Sequence, residues 1–501
     1  MSIQDRGLDE RRRRVLTSLR EFSEPAGTAA ARRAAHRLAT AMESSAPPAS
    51  HTPRPPRAML AYGGGKDSSY MTAFVRLIQL MLAEQGVRLL LRIVTSRHAG
   101  MPRAVLENID RAYRALGMYG DPDVELVIVD HDRVRPFHVD LPIPSEVVQR
   151  NRLDILMNGH RCFAEGRPTF CNACNLGMIE ALAAAAEHGD GVDLIVTGDS
   201  PTEQRAYLLW VRRLARRLGV ARRPLAGFDG TVATARDIAD RFRADIHGAA
   251  DGGPGPSDGF RTGPSFFSIY RDTEYRAADH WALLTRFLGF RFDDLAFSFT
   301  ESDCANPALM AHLRGLRAER LYGLGYEVGI GEYVEFATGL MRAKELPTPL
   351  IETMRQRYDT PAKVGEMRTR IGRYASVTFG LFEHHLVCMA YSPFAGKGEY
   401  LEPYLGAEHP DLAGAGDAIR GLLAGADEPV TLAGRLEEVS GLTLDRLRTL
   451  YRSPLAIAYP GGPATAGNLI GLVLAGDPHR GVVETRRRPG GPVVVEMISG
   501  R

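Results

Sequence analysis

From Ala58 onward, short apolar runs alternate with longer stretches in which apolar positions recur every three or four residues. Residues 59–62, 88–95, 124–130 and 192–197 read as strands, and the stretches between them, among them 70–83 and 103–116, read as amphipathic helices. Strands rich in Val, Ile and Leu between helices predict an α/β fold with a parallel sheet covered on both faces. In such sheets ligands bind outside the carboxyl ends of the strands. Chemistry is therefore expected in the loops at residues 63–69, 96–98, 131 onward and 198–200. A further run, 294–300, predicts a fifth strand leading to Cys304.

Other segments have a different texture. Residues 8–45 carry Arg and Ala at helical spacing and 44–56 are rich in Pro and Ser, so 1–56 reads as peripheral helices and a linker. The sheet domain spans 57–310, and within it 247–265, dense in Gly, Pro, Asp and Ser, reads as a mobile loop. Residues 311–374 read as a helical subdomain, and 375–501 as a C-terminal α+β domain. There 375–391 is strand-like, and 430–450 holds two short helices around Gly441 at helix-turn-helix spacing. Runs at 469–474, 482–484 and 493–498 read as β and complete a winged-helix-like end.

Composition narrows the setting. The 501 residues are 44% hydrophobic and 24% charged with a net charge of +2, ordinary for a globular protein and no signature of a polyanion binder. Arg11 to Arg14 fit a solvated helix face better than a nucleic-acid contact, and the second helix of the Gly441 pair offers only Arg446, Arg448 and Arg452. Five cysteines argue for a reducing compartment. With charges where a signal peptide needs an apolar core, and no long apolar stretch, a cytoplasmic protein without a membrane partner is expected.

The strand at 59–62, ending in Tyr62, hands over to a helix through Gly63, Gly64, Gly65, Lys66, Asp67, Ser68 and Ser69. Consecutive glycines allow positive φ and clear the way for N–H groups to converge on an anion. Ser68 and Ser69 add hydroxyls at the helix start, Lys66 adds a cation, and Asp67 caps the helix or holds magnesium. The plainer alternative is a glycine-rich turn with an ordinary cap. Neither the Walker A spacing nor the dinucleotide fingerprint is present. Farther on, Cys171 and Cys174 open a predicted helix at a spacing that suits one metal or a redox disulfide, and the helix start favours a thiolate. A pair of buried small residues is the alternative. Cys304 would reach the same sheet edge, and three cysteines around one open position form the ligand set of a site-differentiated iron–sulfur cluster. Cys162 reads as a bystander and Cys388 as core.

The glycine run closely resembles the Ser-Gly-Gly-x-Asp-Ser signature of the PP-loop ATP pyrophosphatases, with Gly63 in place of the first serine. The order of Cys171, Cys174 and Cys304 behind it resembles the tRNA 2-thiocytidine synthetases and related PP-loop thiolases. Cys171 and Cys174 ahead of Gly198, Asp199, Pro201 and Glu203 are also similar to the N-acetyl sugar amidotransferase layout. The likeness covers residues 57–310 at motif depth. It implies a HUP-like nucleotide-binding domain with ATP phosphates at residues 63–69 and adenine near Thr95 and Arg97. Arg97 and Arg205 are either extra donors or surface arginines. Asp199 and Glu203 are either Mg²⁺ ligands or a helix cap and first-turn acid. ATP would adenylate a carbonyl or amide oxygen and release pyrophosphate. Sulfur delivered through a 4Fe–4S centre on Cys171, Cys174 and Cys304 would then replace that oxygen. With Zn²⁺ instead, ammonia or an amine would be the nucleophile of an amidotransferase or amide ligase. An ATP-sensing regulator is a third reading. Expected partners are a small-molecule or carrier-bound substrate, a sulfur-donor protein and further copies of the chain. No basic tRNA-binding module is evident, which disfavours tRNA.

Overall fold

A computed structural model describes residues 3–44, 54–197, 201–219, 228–248, 263–273, 280–297, 304–426, 430–458, 468–475 and 480–499. The chain opens with α1 (Ile3–Ser44) and then alternates through β1 (Arg57–Ala61), α2 (Lys66–Glu84), β2 (Leu90–Arg97), α3 (Arg103–Ala115) and β3 (Val124–Asp130). A return strand, β4 (Arg133–Pro136), leads to α4 (Ser145–Gly159), α5 (Gly166–Phe170) and α6 (Asn172–Glu187). Then come β5 (Leu194–Thr197), α7 (Pro201–Leu218), α8 (Phe228–His247) and β6 (Ser265–Ser268).

The fold is α/β, built on one sheet in the order β4-β3-β2-β1-β5-β6. Every neighbour is parallel except β4, which returns antiparallel to β3. The chain steps outward from β1 to β3 and crosses back to β5, so strand order reverses beside β1 and a ligand crevice opens at the carboxyl ends there. Alternation along each strand loads both faces. Leu60, Ile93, Ile128 and Val196 pack in the core that contains α2 and α3, while Met59, Val94, Val127 and Ile195 meet α6.

Two strand expectations need correction. Residues 294–297 form turns and 298–303 lie outside the described residues, so the strand beside β5 is β6. That strand is four residues long, too short to show a period, and lies where the expected mobile loop ends. Residues 249–262 of that loop lie outside the description. The second is β4, unanticipated because Arg-Val-Arg-Pro is polar, as suits an edge strand.

The expected amphipathic helix after β1 is instead buried at every position from 69 to 82. The cause is α1, which breaks at Glu24 (φ 55) beside Pro25 and packs along α2. Arg12 pairs with Asp121 and with Asp123 at 2.8 Å, and Arg37 pairs with Asp272 and stands 4.0 Å from the Phe267 ring centroid. Arg76, carried inward on α2, reaches Asp121 at 2.7 Å. Burial opposes ionisation of Asp121, yet Arg12 and Arg76 hold its carboxyl at about 2. Within the basic run, Arg12 thus serves a clamp within the protein.

Beyond Cys304 the chain is helical: α9 (Asn306–Arg320), α10 (Tyr326–Ala343), α11 (Thr348–Gln356), α12 (Pro361–Phe379), α13 (Glu383–Tyr391), α14 (Leu401–Glu408) and α15 (Gly416–Ala424). α16 (Val430–Ser440), α17 (Leu444–Arg452), α18 (Leu469–Ala475) and the hairpin of β7 (Arg480–Arg486) and β8 (Val493–Ser499) follow. These helices share a hydrophobic core with α4 and α5, joined through Leu156, Phe170, Leu309, Leu386 and Leu436.

The strand-like run at 375–391 is in fact the end of α12 and all of α13, separated by Gly380 in the left-handed conformation. Residues 385–391 are all buried, so the run shows no helical period and mimics a strand. Residues 469–474 are likewise helical, in α18. The helix pair around Gly441 does form, but the C-terminal hairpin docks elsewhere. Glu332 of α10 accepts from Thr485 Oγ1 at 2.7 Å and from the Arg486 N–H at 3.1 Å, and it also holds Arg314 at 3.0 Å. On α17, Arg446 donates to the His247 carbonyl at 3.0 Å and Arg448 to the Leu422 carbonyl at 3.1 Å. A winged helix needs its hairpin beside the second helix and its cations outward; here the hairpin docks on α10 and, of the three arginines on α17, only Arg452 is exposed. Glu332→Ala is expected to cost about 2 kcal/mol by orphaning these donors. It should open the hairpin to trypsin at Arg486 while the sheet stays resistant, which limited proteolysis reads directly.

No helix among the described residues is long and apolar enough to cross a membrane.

Candidate functional site

The glycine loop lies at the carboxyl end of β1, beside the reversal of strand order. Of its three glycines only Gly64 takes positive φ, at 74°, while Gly65 (φ −79°, ψ 167°) is the N-cap of α2. A Cβ on Gly64 would lie 2.7 Å from Val105 Cγ1 and 2.9 Å from the Val105 carbonyl oxygen, so α3 packs directly on the loop. Both serine hydroxyls turn onto the loop itself: Ser68 Oγ donates to the Gly65 carbonyl at 3.1 Å and Ser69 Oγ at 2.8 Å. The Tyr62 hydroxyl lies 3.0 Å from Ser69 Oγ, and burial raises its pKa. No side chain caps α2, and the start of a helix favours an anion. Lysine is scarce beside arginine in this chain, yet Lys66 is 3% exposed at this turn, with Nζ 2.9 Å from Asp67 Oδ1.

At the end of β2 the candidate residues brace the edge. Thr95 is fully buried and donates to the Tyr62 carbonyl at 2.9 Å. Arg97 forks onto Asp130 at 2.7 and 2.8 Å and also donates to the Leu141 and Pro142 carbonyls. Arg205 is exposed on α7. Gly198 and Asp199 lie outside the described residues, as do the side chains of Glu203 and Cys174.

A cavity of about 240 Å³ opens at this edge, and its walls bring together Tyr62, Gly63, Arg97, Cys171 and Cys304. Cys171 is buried at the junction of α5 and α6, and Cys304 is half-buried just ahead of α9. Soft thiols at the start of a helix are a fitting donor set for iron or zinc. Among the described residues, which exclude the Cys174 side chain, no three His, Cys, Asp or Glu gather to hold a metal ion. The other two cysteines stand apart: burial pushes the Cys162 and Cys388 thiols up to about 12, leaving them unreactive at neutral pH.

The cavity is also cationic. Arg150 of α4, Arg167 of α5 and Arg243 of α8 line it with Arg97, against one lining carboxylate, Asp154, which lies 2.6 Å from His247 Nε2. None of these three arginines stood out in so arginine-rich a sequence; the loops at 96–98 and at His131, which also line the cavity, were marked beforehand. A larger depression, about 360 Å³, lies at the opposite end of the sheet. There Arg12, Arg76 and Arg88 are tied up with Asp121 and Asp123, and no loop follows a strand, so the carboxyl edge is the better candidate.

No protein-family model matches the chain, and no curated protein matches it.

Proposed function

We propose that this chain is an ATP-dependent enzyme that transfers AMP to a carbonyl or amide oxygen of its substrate, releases pyrophosphate, and then replaces that oxygen by sulfur. The observation that supports this is that Gly63 of the glycine loop and two distant thiols, Cys171 and Cys304, line one cavity with cationic walls. The substrate oxygen attacks the α-phosphorus, the bond from that phosphorus to the bridging oxygen breaks, and pyrophosphate departs. Lys66, Mg²⁺ and the first N–H groups of α2 offset the phosphate charge. Hydrosulfide then adds at the activated carbon, the carbon–oxygen bond breaks, and AMP leaves with the original oxygen. Cys171, Cys174 and Cys304 would hold a 4Fe–4S cluster, and such a cluster would supply an open coordination position for sulfur.

Lys66→Ala is expected to weaken a non-hydrolysable ATP analogue at least tenfold by equilibrium dialysis, and wild-type protein that does not bind the analogue would overturn the reading. Anaerobic purification with iron, sulfide and zinc analysis decides the second half. Iron and sulfide lost in Cys304→Ala support sulfur transfer; stoichiometric zinc without iron replaces sulfur by ammonia or an amine.

A further inference from the structure

One face of α4 runs along the cavity: Val147, Arg150, Asn151 and Asp154, spaced as neighbours on a helix surface, all line it. Met178, Ala181 and Leu182 of α6 give the same cavity an apolar wall. Such a cavity takes a molecule whose few polar groups are fixed at defined points.

The polar wall has hydrogen-bonding capacity that the protein does not use. Asp154 is 8% exposed and is ion-paired with none of the four arginines that line the cavity. Its Oδ1 lies 2.6 Å from His247 Nε2, which fixes the carboxylate, and its Oδ2 has no hydrogen-bond partner among the described residues. Asn151 Oδ1 accepts the Ala99 N–H at 2.8 Å, which fixes the amide, and its Nδ2 has no partner among the described residues. Asn306, the first residue of α9, is only 4% exposed, and its buried Oδ1 is unpaired. The two asparagines flank Ala99-Gly100: a Cβ on Gly100 would lie 2.9 Å from Asn306 Oδ1. Buried polar groups are nearly always paired, so unused ones on a cavity wall call for a partner from the cavity.

On α4 an open carboxylate oxygen that accepts and an open amide nitrogen that donates stand three residues apart. Cβ atoms at that spacing are about 5–6 Å apart, within the span of one small polar edge and its two hydrogen bonds. The complementary edge is a carbonyl beside an N–H. A carboxylic acid would set a second anion against Asp154, and an ammonium would meet the four arginines. We propose that Asn151, Asn306 and Asp154 hold the amide or lactam edge of the molecule that accepts AMP, with Asp154 on its N–H and the asparagines on its carbonyl oxygen. Naming that molecule the AMP acceptor rests on the adenylating reading; the amide-binding edge does not.

The test titrates the full chain with 2-pyridone, a small lactam, by ligand-observed NMR, with and without a saturating non-hydrolysable ATP analogue. Wild-type protein is expected to bind 2-pyridone in both conditions, and to bind N-methyl-2-pyridone, which lacks the N–H, about tenfold more weakly, the worth of a hydrogen bond to a charged group. Asn151→Asp keeps an acceptor for the Ala99 N–H but turns the open donor into an acceptor, and Asp154→Asn removes the charge. Each should weaken 2-pyridone about tenfold. Equal affinity for the N-methyl compound, or unchanged binding in either variant, overturns the proposal. Displacement of 2-pyridone by the analogue also overturns it, because the edge would then hold adenine. If wild-type protein binds 2-pyridone but not the analogue, the edge stands and the adenylating function falls; if it binds the analogue but not 2-pyridone, the edge alone falls.

Discussion

Gly64→Ala is expected to abolish nucleotide binding and to lower stability by about 3 kcal/mol. Part of the cost, roughly 1–2 kcal/mol, comes from holding an L-residue in the left-handed region. The rest, about 1–3 kcal/mol, is overpacking against Val105, whose side chain and carbonyl oxygen would both lie under 3 Å from the new carbon. Because Val105 sits in the first turn of α3, the clash cannot be relieved without moving either that helix or the loop. Gly86→Ala is the control: its φ is 76° but nothing lies within 4 Å of its Cβ position, so only the conformational cost applies. Melting curves and analogue binding on the two variants separate the effects. Equal destabilisation in both, with binding retained, would show that α3 does not constrain the loop.

Acidification is expected to unfold the helical body steeply. Burial drives the His160 ring down to about 3 and the His312 ring to about 4. Burial, with His384 and Arg152 nearby, brings His385 to about 4. All three are neutral in the folded chain and take up a proton on unfolding once the pH falls below about 6.5. Their contribution to stability is complete above that value and is lost as pH drops from 6.5 toward 4. Each histidine adds a slope of roughly 1.4 kcal/mol per pH unit, so the three together give about 4 kcal/mol per unit in mid-range. Denaturant titrations at pH 7, 6 and 5 measure it. His160→Leu should flatten the slope by about a third; a slope unchanged in that variant would show that His160 stays neutral in both states.

The glycine loop, β1 and β3 were legible because each has a local signature: glycines where the backbone turns, and apolar residues at strand length. What escaped the sequence is mostly what tertiary contact creates. Residues 70–83 have the look of a surface helix until α1 covers them and Arg76 finds an ion pair with Asp121. Residues 385–391 are apolar throughout because α13 is buried on every side, which erases the period that separates helix from strand. The cationic wall of the cavity could not be read at all, since Arg150, Arg167 and Arg243 come from α4, α5 and α8 and carry no shared motif. Thr95 and Arg97 stand at the strand end where they were expected, with their polar groups engaged by the Tyr62 carbonyl and Asp130.

The long first helix also constrains the order in which the chain is assembled during synthesis. α1 has α2 close behind it in the chain, but the charges that fix it arrive late: Asp121 some 109 positions after Arg12, and Asp272 some 235 after Arg37. With translation at about 5–20 residues per second, α1 meets α2 early, whereas its Arg37 waits for on the order of ten seconds or more before Asp272, just past β6, is made. Ribosome-bound chains stalled before and after residue 272 should therefore differ in how readily protease cuts the Arg37 end of α1.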